Sequence, residues 1–487
     1  MLLSLTLTAL FTLFAGCGDS SSLVGEGGGN GKADFGVKDG SGNIDATGNI
    51  DATEIVDAAG ETPGWSNGIA WVRSNPMFIS GLNVSMGPPP PSEVTEYFDA
   101  FHANAVHVWA DGLPGEVAGW RSAGHPGFRF VSWVHHDGKS NANGLVIGGL
   151  PPNDPGRIGY QVGDEPRDFQ DLYDIEGGVN DVRAADPDSL IIVNFGDPQD
   201  EANLKPMLHY FGSSMDADII SYDRYDLDYD AYERLELFRR IGLQYKIPYW
   251  RYLNAATFPS QMQYPSESDM RWNAFIGLLY GYTGHSWFVY QVSTAHAPLP
   301  VLFASGGDWA SPSTERFAYA AQINLEMANL GRAISLLTST DVRYIPGTGV
   351  YGPKGTKNWS PGAGSDPYIT SISPVNVPLL GFQDIAVGFF EDDVGATYVM
   401  IQNVNHSSAN WPIGNTNDAT IRVDFDFTQA PTNISRSVVE VLVKETGMVE
   451  NLPLSPNGPN HSFFQVTLPA GDLVLFKYAT GSSFALQ

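Results

Sequence analysis

Eight short β-rich runs, alternating with stretches that read as helix, limit what this chain can fold into. The runs are GLNVS (81–85), AVHVWA (105–110), FRFVSWVH (128–135), RIGYQVG (157–163), LIIVNFG (190–196), DIISYDRY (218–225), IPYWRYLNA (247–255) and HSWFVYQV (285–292). Most are apolar nearly throughout, as expected of parallel strands covered on both faces. Between them lie amphipathic helical stretches such as SEVTEYFDAFHA (92–103), YDAYERLELFRRIGL (229–243) and SDMRWNAFIGLLYGY (268–282), and a long one at 314–337 follows the last run. Eight such units within residues 65–340 predict an α/β fold, a closed (β/α)8 TIM barrel. An open doubly wound sheet is the competitor, but no GxGxxG-type loop follows the first run.

Beyond residue 341 the helical pattern stops. DIAVGFF (384–390), ATYVMIQNV (396–404), ATIRVDFDF (419–427), SVVEVLVKET (437–446) and FFQVTL (463–468) are separated by turn-rich segments. They predict an all-β antiparallel sandwich over 341–487.

The other end of the chain reads differently. Residues 2–16, LLSLTLTALFTLFAG, form an apolar run of signal-peptide length, too short for a comfortable membrane span. Cys17, the chain's single cysteine, follows at once, and the stretch Leu13 to Cys17 resembles a bacterial lipobox. That resemblance implies a signal peptide over 1–17, lipidation of Cys17 and a lipid anchor to a membrane. The implied location is the outer membrane or cell surface of a Gram-negative bacterium. Residues 18–64 are rich in Gly, Ser, Asn and Asp and repeat GNIDAT at 42–47 and 48–53. Such a segment cannot bury enough surface to fold and is expected to be a disordered tether. One cysteine also leaves no intrachain disulfide and no cysteine-based metal site.

The chain carries 54 acidic and 26 basic residues, a net charge of −28. That balance argues against nucleic acid, whose phosphates need clustered Lys and Arg. The chain is expected to act as a monomer without a cofactor. Aromatic residues make up 12% of it, and their faces suit the apolar C–H faces of sugar rings as well as a core.

In a TIM barrel, chemistry sits where strands end at their C-terminal edge. The strand ends offer Asn83, Trp109, Asp111, His135, His136, Asp137, Asp164, Glu165, Tyr222, Asp223, Asp226, Arg251, Asn254, Trp287, Tyr290 and Gln291. The sharpest local signal is Gly163-Asp164-Glu165-Pro166. Two adjacent acids at the end of an apolar strand crowd like charge against a low-dielectric core, which raises a carboxyl pKa. A protonated carboxyl at neutral pH can act as a general acid. The blander reading is that both acids cap the helix beginning near Arg167. The acid-rich run DRYDLDYDAYE similarly allows Asp223 a solvated or capping role. His135 and His136 are neighbours on a strand and so face opposite ways, which makes a metal site unexpected there. Contact with sugar hydroxyls or a carboxylate suits them better. His107 sits mid-strand and is expected to be a buried, satisfied side chain.

The run IGYQVGDEP resembles the fourth strand of (β/α)8 glycoside hydrolases, in particular the clan A superfamily. There a Glu, usually after Asn, is the acid/base at the end of strand 4. Glu165 matches that Glu and Asp164 stands where the Asn would be. Trp287 matches the clan's substrate-platform Trp, and Tyr222 its Tyr or His on strand 6. The closing LPAGDLVLFKY (468–478) looks like the last strand of the β-domains that follow many such barrels. The resemblance implies a carbohydrate substrate, a neutral poly- or oligosaccharide. It also implies binding roles for Trp109, His135, His136, Tyr222, Asp226, Asn254, Trp287, Tyr290 and Gln291.

The chain departs from the clan where strand 7 should carry the nucleophile Glu, offering Asn254 instead. Three readings follow. The second carboxylate comes from strand 6, as Asp223 or Asp226, with Asp137 and Glu267 in reserve. Alternatively, Asp164 orients a substrate acetamide while Glu165 protonates the leaving oxygen, as in hexosaminidases. In the third reading the site binds a glycan without cleaving it. No GxSxG motif supports an esterase.

Overall fold

The computed structural model of the chain describes residues 66–84, 89–108, 113–134, 153–196, 201–225, 230–255, 265–292, 315–347, 352–375, 383–406 and 418–487. Cys17 and the expected tether lie outside these residues. No described helix is long and apolar enough to cross a membrane.

Eight parallel strands close into a barrel in sequence order: β1 (Phe78–Val84), β2 (Val106–Val108), β3 (Phe130–Val134), β4 (Arg157–Asp164), β5 (Leu190–Phe195), β6 (Ile219–Asp223), β7 (Tyr249–Asn254) and β8 (Gly284–Val292). A first helix, α1 (Asn67–Ser74), precedes them. The helices that follow are α2 (Pro91–Thr95, continued by a π-turn to Ala100), α3 (Leu113–Ser122), α4 (Phe169–Ala185), α5 (Glu201–Ser214), α6 (Asp230–Tyr245), α7 (Glu267–Tyr280) and α8 (Glu315–Ile334).

The barrel interior is layered. Phe78, Ala105, Val131, Ile158, Leu190, Ile192, Ile219 and Trp250 fill its lower part. Phe78 and Trp250 stack there with ring centroids 4.4 Å apart. Trp71 of α1 closes that end, its ring 5.7 Å from Trp250. Burying these large side chains leaves the lower interior dry and rigid, so polar groups are confined to the opposite end.

Two sheets follow the barrel. One has seven strands in the order β10-β9-β12-β13-β19-β15-β16, and the other four in the order β11-β14-β18-β17. The large sheet comprises β9 (Thr338–Ile345), β10 (Lys357–Asn358), β12 (Ile385–Glu391), β13 (Thr397–Asn403), β15 (Val438–Val443), β16 (Met448–Pro453) and β19 (Leu473–Tyr478). The small one comprises β11 (Ile369–Pro374), β14 (Ala419–Asp426), β17 (Ser455–Pro456) and β18 (His461–Leu468). All pairings are antiparallel except β9 with β10. Strand β14 alternates buried and half-buried residues, and its inward Ile421, Val423 and Phe425 meet Val399, Ile401 and Phe476 of the other sheet. This is the sandwich that the period-2 pattern predicts.

Barrel and sandwich share one apolar core. Helix α7 was expected to be amphipathic, yet 12 of its 14 residues are buried. It lies between the barrel wall and the large sheet, and a helix covered on both sides is apolar all round. A Cβ on Gly388 of β12 would meet the Leu279 carbonyl oxygen at 2.5 Å, which shows how closely that sheet packs on α7. A capping box between Ser266 and Asp269 starts this helix, and Gly281 ends it in the left-handed conformation at φ 90°.

Candidate active site

Strand β4 ends irregularly, and the irregularity builds the site. Gly163 has φ +71°, and the register with β5 shifts between Gln161 and Asp164. The extra residue turns Asp164 to the inner face opposite Asn194. Glu165 follows in a left-handed backbone conformation, φ +44°, its N–H donating to the Asn194 carbonyl oxygen at 3.0 Å. Such a conformation in a non-glycine residue is costly and clusters at functional sites. Neither acid caps the next helix: Asp168 does, accepting from the amides of Gln170 and Asp171.

Asp223, the last residue of β6, is 6% exposed and faces the same interior. The Asn194 Nδ2 donates to Asp164 Oδ1 at 2.8 Å and to Asp223 Oδ1 at 3.2 Å. Gln161 Nε2 adds a bond of 3.2 Å to Asp164 Oδ1. Asp223 makes side-chain hydrogen bonds with Glu165 and with Tyr225. Burial, and then the Glu165 charge, pushes the Asp164 and Asp223 carboxyls well above the usual aspartate range. Two other buried barrel carboxyls are matched to arginines instead: Asp186 to Arg157 at 3.1 Å and Asp218 to Arg183 at 2.6 Å. Like-charged groups held together at a strand end by amides and a phenol are what proton-transfer chemistry uses.

Beneath them runs a buried polar layer. Tyr252 on β7 donates to Gln161 Oε1 at 2.7 Å and meets His107 Nδ1 at 2.9 Å. Burial lowers the His107 pKa to about 3, so the ring is neutral. With the Tyr252 hydroxyl proton given to Gln161, His107 is the donor in their bond. Asn254 is buried and donates to the Tyr225 carbonyl oxygen at 3.1 Å. Strand 7 therefore supplies an amide where the clan pattern has a carboxylate.

Three expected binding residues face the other way. Tyr222 is outside the barrel, its ring stacked on Phe238 of α6 at 4.4 Å. Trp287 is fully buried against α8, and its Nε1 donates to Asn324 Oδ1 at 2.8 Å. It has no exposed ring face and cannot serve as a platform. Tyr290 is wedged among Tyr97 and Phe101, with centroids 4.7 and 5.1 Å away. For Tyr222 and Trp287 the cause is that consecutive strand residues point to opposite faces. Tyr290 instead shares the parity of Ser286 and Phe288 and turns outward where the register between β1 and β8 shifts. Arg251 is likewise turned outward, onto Asn273 of α7. Glu267 pairs with Arg271 at 3.0 Å and is committed to that helix. Gln291 is buried and pairs with Asn83 of β1 beyond the register shift. Trp109, Asp111, His135, His136, Asp137 and Asp226 lie outside the described residues, and so does the Asn83 side chain.

Aromatic residues of the opposite parity line the mouth. Trp133, Tyr225 and Phe288, all partly exposed, pack on Leu82, Tyr252 and Val289 at the upper end of the interior. Tyr225 and Phe288 have centroids 5.0 Å apart. Strand parity could have found Phe288: Ser286 bonds Ser80 inside the barrel at 2.9 Å, so residue 288 returns to the inner face. Among the described residues no group of three or more His, Cys, Asp or Glu is arranged to hold a metal ion.

No family model and no curated protein matches the chain. Among solved structures, the β-galactosidase from Bacillus circulans sp. alkalophilus aligns with a TM-score of 0.50 at 9% identity, covering 83% of this chain and 99% of that one. The α-galactosidase from Saccharomyces cerevisiae aligns at 0.45 and 9% identity, over 85% of this chain and 99% of that one. For the β-L-arabinopyranosidase from Geobacillus stearothermophilus the values are 0.42 and 9%, over 86% and 100%. At such identity the first of these establishes a shared fold, a TIM barrel followed by a β-sandwich.

Proposed function

We propose that the chain is a glycoside hydrolase that cleaves a neutral poly- or oligosaccharide with Glu165 and Asp223. The observation that carries this reading is their hydrogen bond at the C-terminal mouth of the barrel. Two carboxyl groups flanking a glycosidic bond are the minimal machinery for its hydrolysis.

In the resting pair one proton lies between the two groups. Glu165, the exposed member, delivers it to the glycosidic oxygen as the bond breaks. Asp223, left ionised, attacks or stabilises the positive anomeric carbon. A water molecule then completes hydrolysis, returning its proton to Glu165. Carboxyls in hydrogen-bonding contact leave no room between them for the water that an inverting pair, about 6.5–9.5 Å apart, must hold, and so stand nearer to the retaining arrangement of about 5–5.5 Å. The reading is therefore a retaining enzyme. Trp133, Tyr225 and Phe288 supply ring surface for the sugar. Asp164 orients its neighbours, its Oδ1 already bonded by two amides. The N-terminal sequence supports an exported lipoprotein anchored through Cys17.

A second reading, a surface glycan-binding protein without turnover, is favoured by one feature, the Asn254 amide where strand 7 would carry a nucleophile. A reducing-end assay against a panel of neutral polysaccharides separates the two. Sugar release by the wild type and none by Glu165→Gln supports the hydrolase. Binding of a glycan without release by the wild type overturns it.

A further inference from the structure

Asn194 touches all three acids of the site. Its backbone oxygen accepts from the Glu165 N–H at 3.0 Å, and its Nδ2 bridges Asp164 and Asp223 at 2.8 and 3.2 Å. The side chain is 2% exposed, and its Oδ1 is buried without a hydrogen-bond partner among the described residues. An amide that leaves its oxygen unsatisfied in order to point its nitrogen at two carboxyls is oriented by those carboxyls. Flipping it would set oxygen against oxygen.

From the other side Asp164 is reached by a chain with one direction. His107 Nδ1–H donates to the Tyr252 hydroxyl, the hydroxyl donates to Gln161 Oε1, and Gln161 Nε2 donates to Asp164 Oδ1. Every donor in it points toward Asp164, and bonds in such a chain polarise one another. It crosses the barrel from β2 through β7 to β4, so it ties the acid's position to the closed barrel.

We propose that Asn194 and the Tyr252–Gln161 arm are positioning residues that hold Asp164 and Asp223 at a fixed spacing and set the pH at which the carboxyl cluster takes up its proton. This rests on the reading of Glu165 and Asp223 as the hydrolytic pair, but its test does not need turnover. The titratable groups facing the cluster among the described residues are Asp164 and Glu165 at the end of β4, Asp223 and Tyr225 at the end of β6, His107 on β2 and Tyr252 on β7. His107 stays neutral, its pKa near 3, and does not titrate in the working range. Donors to a carboxylate favour its charged form, so losing them moves its titration upward.

The experiment is a carbon-13 titration of the full chain labelled at the aspartate carboxyl carbon, with signals assigned by their loss in Asp164→Asn and Asp223→Asn. Asn194→Leu, which removes the amide at nearly constant volume, is expected to move both signals to higher pH by on the order of one unit. Tyr252→Phe is expected to move Asp164 in the same direction by less. Unchanged titrations in variants with a native circular dichroism spectrum would overturn the proposal. Should Asn194→Leu not fold, Tyr252→Phe carries the same decision. If the wild type releases sugar from a glycan, its rate–pH profile should shift upward in both variants with KM nearly constant. If it cleaves nothing, the carboxyl titration still decides.

Discussion

The Cβ that Gly196 lacks would lie 2.7 Å from Cγ of Glu165 and 2.8 Å from its Cδ. The residue just past β5 therefore leaves the space in which the Glu165 side chain runs. Gly196→Ala is expected to fold and to bind glycan while displacing this carboxyl. A misplacement of about 1 Å can cost on the order of 100-fold in kcat. Steady-state kinetics on the hydrolysed glycan checks it, and an unchanged kcat would contradict the placement.

Trp287 and Phe288 are neighbours in opposite surroundings, one fully buried against α8 and the other partly exposed at the mouth. Trp287→Ala removes a fully buried ring bonded to Asn324 and should destabilise the fold by about 3–5 kcal/mol. Phe288→Ala removes a partly exposed ring at the mouth and should raise KM with a small change in stability. Urea unfolding and glycan affinity, measured on both variants, test the assignment. The reverse pattern would restore Trp287 as the platform.

The seam between α7, α8 and the sandwich holds a buried charge cluster. Arg271 meets Glu326 at 2.7 Å, and Lys444 meets Glu326 at 3.3 Å and Asp472 at 3.2 Å. Removing Glu326 leaves two buried cations short of a partner. Glu326→Ala is expected to cost about 3–5 kcal/mol, read from denaturant unfolding. A loss within experimental scatter would show that the seam depends on its apolar contacts alone.

Most strands were legible because a barrel strand is apolar over its whole length. HSWFVYQV was expected at 285–292 and lies at 284–292. The short strands β10 and β17 carry only two residues each and leave no periodic signal. Glu165, Asp164 and Asp223 were legible because an acid at the end of an apolar run is conspicuous. Asn194 was not, because LIIVNF reads as core, and its role depends on which neighbours the barrel brings beside it. Tyr222 and Trp287 were drawn from position along the strand, whereas parity decides which face they occupy. Tyr290 is turned outward by a register shift in β8 that leaves no mark in the sequence pattern.

The raised carboxyls tie stability to pH. Unfolded, Asp164 and Asp223 titrate near the ordinary 3.8, whereas folded they hold protons to higher pH. Between those values the folded state binds more protons, so stability is full below the unfolded value and is lost as pH rises through the folded one. Asp223→Asn removes that loss. Its melting temperature should match the wild type near pH 3 and gain on it as pH rises through the folded value. Parallel melting curves across that window would contradict a raised Asp223.

The central claim is that Glu165 and Asp223 hydrolyse a glycosidic bond together. Its most direct test is the anomeric configuration of the first product, followed by proton NMR on the glycan identified in the reducing-end assay, with Glu165→Gln and Asp223→Asn run alongside. The account predicts a product of retained configuration from the wild type and none from either variant, with glycan affinity preserved in both. Full turnover by either variant would contradict it.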